Sequence, residues 1–279
     1  CILCSMDDES IYGKEFYRVN FAYAVSNGLL TDYKVLVLTV SEEDIPDNLQ
    51  NEIKMGLRTE LDYDNTAKLI GVINGLSKII RGDEGHTWAA DPCKMKRALA
   101  FCSAIGDTSK TGTSKNVAAV FPEIDRRYKE QIGTAAERDK VVDISTRHID
   151  GSMNSSERNA ILSWLKDDCE DGECKVVTNV RCLSEGVDVP ALDAVLFLSS
   201  RNSQVDVVQS VGRVMRNFHK GGADEKKYGY IIIPVVVPQD VKPEDALSDN
   251  KYFKVVWDIL NALRSHDDQF NAEVQRLSL

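Results

Sequence analysis

The sequence lacks long apolar runs: no segment approaches the roughly 20 consecutive apolar residues that a membrane-spanning helix requires. Its first eight residues, CILCSMDD, also lack the basic and apolar regions of a secretory signal peptide. Both absences predict a cytoplasmic globular protein without a membrane segment. Because the chain does not begin with Met and opens in mid-pattern, we expect a piece of a longer polypeptide.

Cysteine is present but forms no framework. The seven cysteines are an odd number and stand apart at positions 1, 4, 93, 102, 169, 174 and 182. This distribution fits the reduced thiols of a cytosolic protein and makes disulfides unexpected. Cys1-x-x-Cys4 could be half of a zinc site, but no second pair at zinc-finger spacing follows it. We expect no metal ligands in this chain.

Basic residues are outnumbered, at 34 Lys and Arg against 44 Asp and Glu, so the formal net charge is −10. This balance argues against a surface that adheres as a whole to a phosphate backbone, and any nucleic-acid contact has to be local. Lys110 and Lys115 form one candidate group. The other candidate cations are Arg201, Arg213, Arg216, Lys220, Lys226 and Lys227. A solvated face is the alternative for each of them.

Internal repeats and low-complexity tracts are absent, so the architecture has to be predicted from the order of the strands and helices. After a polar, irregular start, residues 33–40 predict a buried strand and residues 62–80 predict a helix. Short apolar strands then alternate with amphipathic helices from residue 97 to residue 236, and the tail from residue 252 is helical again. This alternation predicts an α/β fold, a parallel sheet with helices on both faces.

Polar residues follow three of the predicted strands. Ser103 stands at the end of strand 97–103, His148-Ile149-Asp150-Gly151 follows the next strand, and Thr178-Asn179 closes the third. In open parallel sheets, ligands bind beyond the carboxyl ends of the strands. We therefore expect these loops to line one functional edge.

The strongest local signal is the segment QSVGRVMR at residues 209–216. Arg213 and Arg216 are three residues apart on a predicted helix, a spacing that projects both side chains from one face. Two guanidinium groups could then contact one phosphate group and stabilise the charge that spreads during phosphoryl transfer. For an isolated pair, a solvated helix face is the alternative.

This arginine pair is not isolated. Thr178 ends a strand, and the turn Glu185-Gly186-Val187-Asp188-Val189-Pro190 precedes the next strand. With segment 209–216, these residues resemble the fifth and sixth motifs of the second RecA-like domain of superfamily 2 helicases. Three further segments stand in the family's order: the helix at 62–80, the strand at 97–103 and HIDGSMNSSER at 148–158. The resemblance covers about residues 60–236.

The first forty residues resemble the connector between the motor domains of restriction-enzyme-type translocases. They are most similar to type ISP and type I-like restriction-modification enzymes and related predicted DEAD/DEAH-type helicases. This implies a connector with the first strand at 1–40, the second RecA-like domain at 41–240 and a helical extension at 241–279. The implied function is that of a motor domain of an ATP-dependent DNA translocase or helicase, in a restriction-modification or phage-defence enzyme.

The resemblance also implies roles for individual residues. Those implied to be catalytic, beside ATP and Mg²⁺ bound mainly by an absent first motor domain, are Gln209, Arg213 and Arg216. Those implied to line the nucleotide cleft are Glu185, Gly186 and Asp188. Those implied to contact the DNA backbone without reading sequence are Ser103, Gly151, Thr178 and Asn179. The implied partners are DNA and the first RecA-like domain of the same polypeptide, with no membrane.

Three segments imitate other active sites. The loop from Gly106 to Lys115 follows a strand, as a phosphate-binding loop does, but Lys does not follow the second glycine and the spacing has one residue too many. The box at 83–86 (DEGH) follows a helical segment, so no strand end presents its carboxylates to Mg²⁺. Residues 46–54 imitate a nuclease motif but read better as the start of a polar helix. We therefore expect the chain by itself to be inactive.

Two other functions are compatible with parts of the sequence. One is a non-catalytic regulatory or assembly module derived from a helicase domain, against which the intact arginines argue. The other is a nucleotide-binding protein that acts alone, which would require a glycine-rich phosphate loop that the sequence lacks.

Overall fold

The computed structural model describes residues 8–14, 16–17, 19–57, 60–79, 91–181, 192–200, 203–218, 226–237, 250–265 and 267. Its strands are β1 (Asp32–Val40), β2 (Arg97–Phe101), β3 (Asp143–His148), β4 (Glu173–Asn179), β5 (Ala194–Phe197) and β6 (Tyr228–Val236). Its α-helices are α1 (Glu9–Tyr12), α2 (Phe21–Ser26), α3 (Asp47–Lys54), α4 (Tyr63–Leu76), α5 (Ser114–Glu130), α6 (Ala135–Arg138), α7 (Ser155–Lys166), α8 (Gln204–Val214) and α9 (Asn250–Arg264).

The described strands form one six-stranded sheet in the order β1-β6-β5-β2-β4-β3, and every neighbouring pair is parallel. The central strands β2 and β5 are buried along their whole length, as their continuous apolar sequences predict. Helices α4 and α5 cover one face of the sheet, while α7, α8 and α9 cover the other. The predicted α/β fold is confirmed.

Helix ends follow from local sequence signals. Asp62 begins α4 by accepting a hydrogen bond from the Asn65 N–H at 2.7 Å. A capping box is present before α7, with Asn154 and Glu157 each bonding the other's backbone N–H at 2.9 Å. Helix α3 begins at residue 47, so the nuclease-like segment is the polar helix that the sequence indicates.

The amino-terminal segment is more ordered than the predicted irregular start. It contains α1 and α2, and the Asn20 side chain begins α2 by accepting the Tyr23 N–H at 2.8 Å. Strand β1 lies at the edge of the sheet beside β6, and α9 packs against α8 and β6. The connector and the helical extension therefore both contact the main sheet, and the proposed domain boundaries stay a prediction. Within the described part of the chain, no helix is both long enough and apolar enough to span a membrane.

Candidate functional site: two edges of one sheet

The polar ends of β2, β3 and β4 gather at one edge, because the carboxyl ends of parallel strands lie on the same side of a sheet. Ser103 lies in an exposed bend beyond β2, and Gly151 lies in an exposed turn beyond β3. Thr178 and Asn179 end β4 and are 0% exposed. The predicted edge is therefore present, with two of the proposed DNA-contact residues on its surface and two beneath it.

A hydrogen-bonded network centred on His148 joins three segments of this carboxyl edge. His148 Nε2 is 2.8 Å from Asp150 Oδ2, and His148 Nδ1 is 2.8 Å from Ser114 Oγ at the start of α5. The carboxylate requires a proton on Nε2, and the Ser114 hydroxyl also lies 3.1 Å from Thr178 Oγ1. Thr178 Oγ1 then donates to the Ser114 carbonyl oxygen at 2.8 Å. The imidazole thus connects the ends of β3 and β4 to the amino end of α5.

Asp150 holds the turn that carries Gly151. Its Oδ1 accepts hydrogen bonds from the Ser152 N–H at 2.8 Å and from the Ser152 hydroxyl at 2.5 Å. The bonds from Ser152 and from His148 hold the pKa of the Asp150 carboxyl well below its usual range. Lys115 Nζ, which is partly exposed, lies 3.6 Å from Asp150 Oδ2 and brings a cation to the same turn.

Replacing Asp150 with Asn should destabilise the chain by about 2 kcal/mol at pH 7, the scale for hydrogen bonds to a charged group. The amide keeps one acceptor but points a donor at either Ser152 or His148. Because the pKa of Asp150 in the folded chain is lowered from 3.8, its contribution is present above about pH 4 and is lost as pH falls further. Urea unfolding at pH 7 and at about pH 3 measures the difference. The exposed Asp171→Asn is the matched control, and equal stability of both variants at pH 7 would contradict the prediction.

Thr178 and Asn179 lie at the buried carboxyl end of β4, which limits what their side chains can contact directly. The Thr178 hydroxyl is committed to Ser114, and Asn179 Nδ2 donates to the Ala100 carbonyl oxygen at 3.2 Å. Asn179 Oδ1 is buried and has no hydrogen-bond partner among the described residues. DNA contacts through these two side chains would require rearrangement of the surrounding loops, and they stay a prediction.

Backbone hydrogen bonds within the glycine-rich loop before α5 use N–H groups that could otherwise bind a ligand. The Ser114 N–H donates to the Ala104 carbonyl oxygen at 2.8 Å, and the Lys115 N–H donates to the Ile105 carbonyl oxygen at 3.2 Å. Gly106 and Gly112 have φ angles of +57° and +70°, so glycine serves the turn of the chain here. The N–H groups that a phosphate would need are already bonded, which agrees with rejecting this loop as a phosphate site.

The arginine segment differs from its predicted geometry. Helix α8 ends at Val214, and Arg216 lies beyond the helix, in an antiparallel bridge with Leu30. Arg213 and Arg216 therefore do not share one helical face. Arg213 is 7% exposed, whereas Arg216 and Gln209 are half-buried. The expectation of one face was wrong because the helix stops where the chain meets the residues before β1.

Lys226 holds the carboxyl end of α8. Its ammonium group donates to the carbonyl oxygens of Val214 and Arg216, the latter at 3.3 Å. Burial lowers the pKa of Lys226 to about 8, while the negative charge of Asp193 acts in the opposite direction. A cation at this position suits the negative end of the helix dipole. Lys226 is thus a structural neighbour of Arg216, although in the sequence it is only one of several scattered cations.

Arg216 and the exposed polar loops lie at opposite edges of the sheet. Arg216 adjoins the residues that precede β1 and β6, at the amino edge, whereas Ser103 and Gly151 lie at the carboxyl edge. With a rise of about 3.3 Å per residue, even the five-residue β2 separates the edges by roughly 17 Å. One small ligand therefore cannot contact Arg216 and these two loops at the same time.

Several predicted residues lie outside the described part of the chain. These are the cleft residues Glu185, Gly186 and Asp188, the cations Arg201 and Lys220, and the box at 83–86. The roles of the cleft residues stay predictions.

The comparisons with known proteins identify the fold. Residues 100–218 match the family described as helicase conserved C-terminal domain. Residues 100–218 are therefore similar to a helicase C-terminal domain. The structure of the chain is also similar to the DNA-bound ATP-dependent type ISP restriction-modification enzyme LlaBIII, with a TM-score of 0.77 and 38% sequence identity over 99% of this chain and 16% of that enzyme. The RecA-like helicase fold, expected from the motifs, and the likeness to type ISP enzymes, expected from the first forty residues, are confirmed.

A relative described as a probable helicase, from African swine fever virus (isolate Pig/Kenya/KEN-50/1950), is 30% identical over 113 residues. These residues make up 40% of this chain and 12% of the relative. The chain therefore spans only a small part of the length of each relative. The region matched to the helicase C-terminal domain includes every candidate site residue from Ser103 to Arg216.

Two residues that stabilise the site are distant in sequence from the residues they contact, and the sequence did not predict them. Ser114 lies 34 positions before His148, and Lys226 lies 12 positions after Val214. No local pattern marks either residue. The His-x-Asp spacing at 148–150 was visible as a polar signature, but its partner on α5 was not.

Proposed function

We propose that the chain is the second motor domain of an ATP-dependent DNA translocase or helicase within a longer restriction-modification or phage-defence enzyme. The main observation behind this proposal is that Arg216 lies at one edge of the sheet, whereas the exposed loops with Ser103 and Gly151 lie at the opposite edge. A motor domain of this kind needs one surface for the nucleotide held by its partner domain and another for the DNA backbone. The similarity to a type ISP enzyme that was observed with DNA supports the choice of DNA and of that enzyme class.

The nucleotide side of the proposal concerns Gln209, Arg213 and Arg216. Guanidinium groups suit phosphate oxygens, but the glycine-rich loop before α5 has its N–H groups bonded internally, so the described residues fit a supplementary role at an ATP site. We assign the phosphate loop and the Mg²⁺ ligands to the first RecA-like domain. The chain's own contribution is then to hold the arginines where negative charge develops during phosphoryl transfer. Glu185, Gly186 and Asp188 complete the same cleft in this proposal.

The DNA side of the proposal concerns the carboxyl edge. Exposed Ser103 and Gly151 suit backbone contacts, because a hydroxyl and a peptide N–H donate to phosphate oxygens without distinguishing bases. We assign Thr178 and Asn179 to the same surface, which Thr178 shapes through Ser114. Lys115 adds a partly exposed cation within a chain of net charge −10. Relative motion of the two motor domains would shift these contacts along the DNA.

The isolated chain should show no DNA-stimulated ATP hydrolysis, because arginines alone cannot assemble a phosphoryl-transfer site. The measurement is ATP turnover by the purified chain with Mg²⁺, with and without duplex DNA, beside the full-length protein as the positive control. Binding of the chain to DNA should be weak. Affinity should fall roughly tenfold between about 50 and 200 mM salt if two phosphates are neutralised.

Sustained DNA-stimulated hydrolysis by the chain alone would show that the loop from Gly106 to Lys115 binds phosphate after all. Tight binding that is insensitive to salt or selective for one DNA sequence would contradict a role in tracking the backbone.

A further inference from the structure

We propose that Asn217 and Thr31 form a clamp that positions Arg216 and couples it to the amino-terminal connector. The inference rests on the proposed function, since it concerns how that function's arginine is held. Asn217 and Thr31 are positioning residues in this proposal, because neither is assigned a contact with nucleotide or DNA.

Three hydrogen bonds join the two strips of chain. Asn217 Nδ2 donates to the Gly28 carbonyl oxygen at 2.7 Å, and the Thr31 hydroxyl donates to Asn217 Oδ1 at 2.8 Å. The Thr31 N–H donates to the Met215 carbonyl oxygen at 2.7 Å. Both ends of the Asn217 amide are therefore used, one on each side of the bridge between Leu30 and Arg216.

Arg216 needs this clamp because α8 no longer fixes its backbone. The last hydrogen bonds of the helix turn run from the Met215 N–H to the Val211 carbonyl oxygen at 3.1 Å and from the Arg216 N–H to the Arg213 carbonyl oxygen at 3.3 Å. Beyond that point the chain is held by the contacts of residues 215–217 with residues 28–31, together with the hydrogen bond from Lys226 Nζ to the Arg216 carbonyl oxygen at 3.3 Å. Thr31 is 9% exposed, so its hydrogen bonds are largely shielded from water.

The clamp also places the arginine next to the connector. Gly28 to Thr31 lie between α2 and β1, and the sequence resemblance implies that the segment before β1 leads from the first motor domain. Phe21 and Val25 of α2 pack onto the core face that also includes Val211, Val214 and Met215. A displacement of the connector would therefore be transmitted to the backbone of Arg216 through Asn217, without passing through the sheet.

The test uses the full-length protein and measures DNA-stimulated ATP turnover as separate kcat and KM values. Asn217→Ala removes both amide bonds of the clamp, and Thr31→Val removes the hydroxyl at nearly constant volume. Thr31→Ser restores the hydroxyl and is the conservative rescue. The matched control is Asn27→Ala. Asn27 is an exposed connector asparagine whose amide, among the described residues, bonds only to α2, at the Tyr23 carbonyl oxygen and Ser26 Oγ.

Asn217→Ala and Thr31→Val should each lower kcat about tenfold while KM for ATP changes less than about threefold, because a misplaced arginine weakens transition-state contacts most. Thr31→Ser and Asn27→Ala should stay within about twofold of the parent. Combining Thr31→Val with Asn217→Ala should add little further loss, since both break one connection. Urea unfolding of each variant shows that the compared proteins are folded.

Normal kcat in Asn217→Ala and Thr31→Val, alongside a large loss in Arg216→Ala, would overturn the clamp and leave the proposed function intact. Normal turnover in Arg216→Ala would overturn the clamp, and near-normal turnover in Arg213→Ala as well would overturn the proposed function. Fully multiplicative losses in the double variant, or no rescue by Thr31→Ser, would also overturn the clamp.

Discussion

Replacing Arg216 with Ala in the full-length protein should lower ATP turnover by about 10³-fold or more, the scale on which an arginine stabilises phosphoryl-transfer charge. Arg216 is the cleaner of the two arginines to test, because it is half-buried and lies outside α8. The measurement is steady-state ATP hydrolysis at saturating DNA, with DNA affinity determined in the same buffer. Affinity for DNA should change less than turnover, since Arg216 lies at the edge opposite the proposed DNA surface.

Arg213→Ala should lower turnover to a similar degree but should also weaken the fold. Arg213 is 7% exposed within the core-facing side of α8, so its removal leaves a packing defect as well as a lost charge. Unfolding curves therefore have to accompany the kinetics for this variant. At both positions Lys keeps the charge and loses the planar fork, so two-point contact with phosphate predicts little rescue by Lys.

The matched control is Arg126→Ala, which removes an exposed arginine that pairs only with glutamates of its own helix in the described contacts. It should leave turnover unchanged. Near-normal turnover in both Arg213→Ala and Arg216→Ala would remove the central claim and favour the regulatory module. Recovery by Lys would instead indicate that bulk positive charge is sufficient.

Gly229→Ala should destabilise the chain by about 3 kcal/mol, the upper part of the usual range for overpacking. A Cβ atom at Gly229 would lie 2.5 Å from the Val214 carbonyl oxygen, a backbone atom at the end of α8 that cannot rotate away. That carbonyl group also accepts the hydrogen bond from Lys226. The variant therefore forces β6 and the end of α8 apart, and urea unfolding at constant pH measures the effect.

Gly212→Ala is the control on the same helix. Its Cβ atom would meet nothing within 4 Å, so the substitution should keep the stability or raise it by about 0.5–1 kcal/mol. Equal stability of the two variants would show that β6 and α8 can separate locally without cost. In the full-length protein, Gly229→Ala should also lower turnover, because it displaces the backbone that leads to Arg216.

The sheet could be predicted because its information is local. The run YKVLVLTV predicts β1, and the alternation of apolar strands with amphipathic helices after residue 97 predicts parallel strands joined by crossovers. The end of α8 could not be predicted in the same way, since the apolar spacing continues to Met215 and Arg216 follows as though still helical. A contact with Leu30, 186 positions earlier in the chain, decides that the helix has ended.

The sequence by itself determined the α/β class, the helicase motifs and the residue types able to contact phosphate, because each depends on neighbours within a few turns or one strand. Only the tertiary structure decided that Thr178 is buried beneath the surface, that His148 bonds Ser114, and that Asn217 ties Arg216 to the connector. These contacts join residues tens to nearly two hundred positions apart. They form only when the sheet brings its strand ends to common edges, and the hydrophobic periodicity of the sequence does not predict which residues then come into contact.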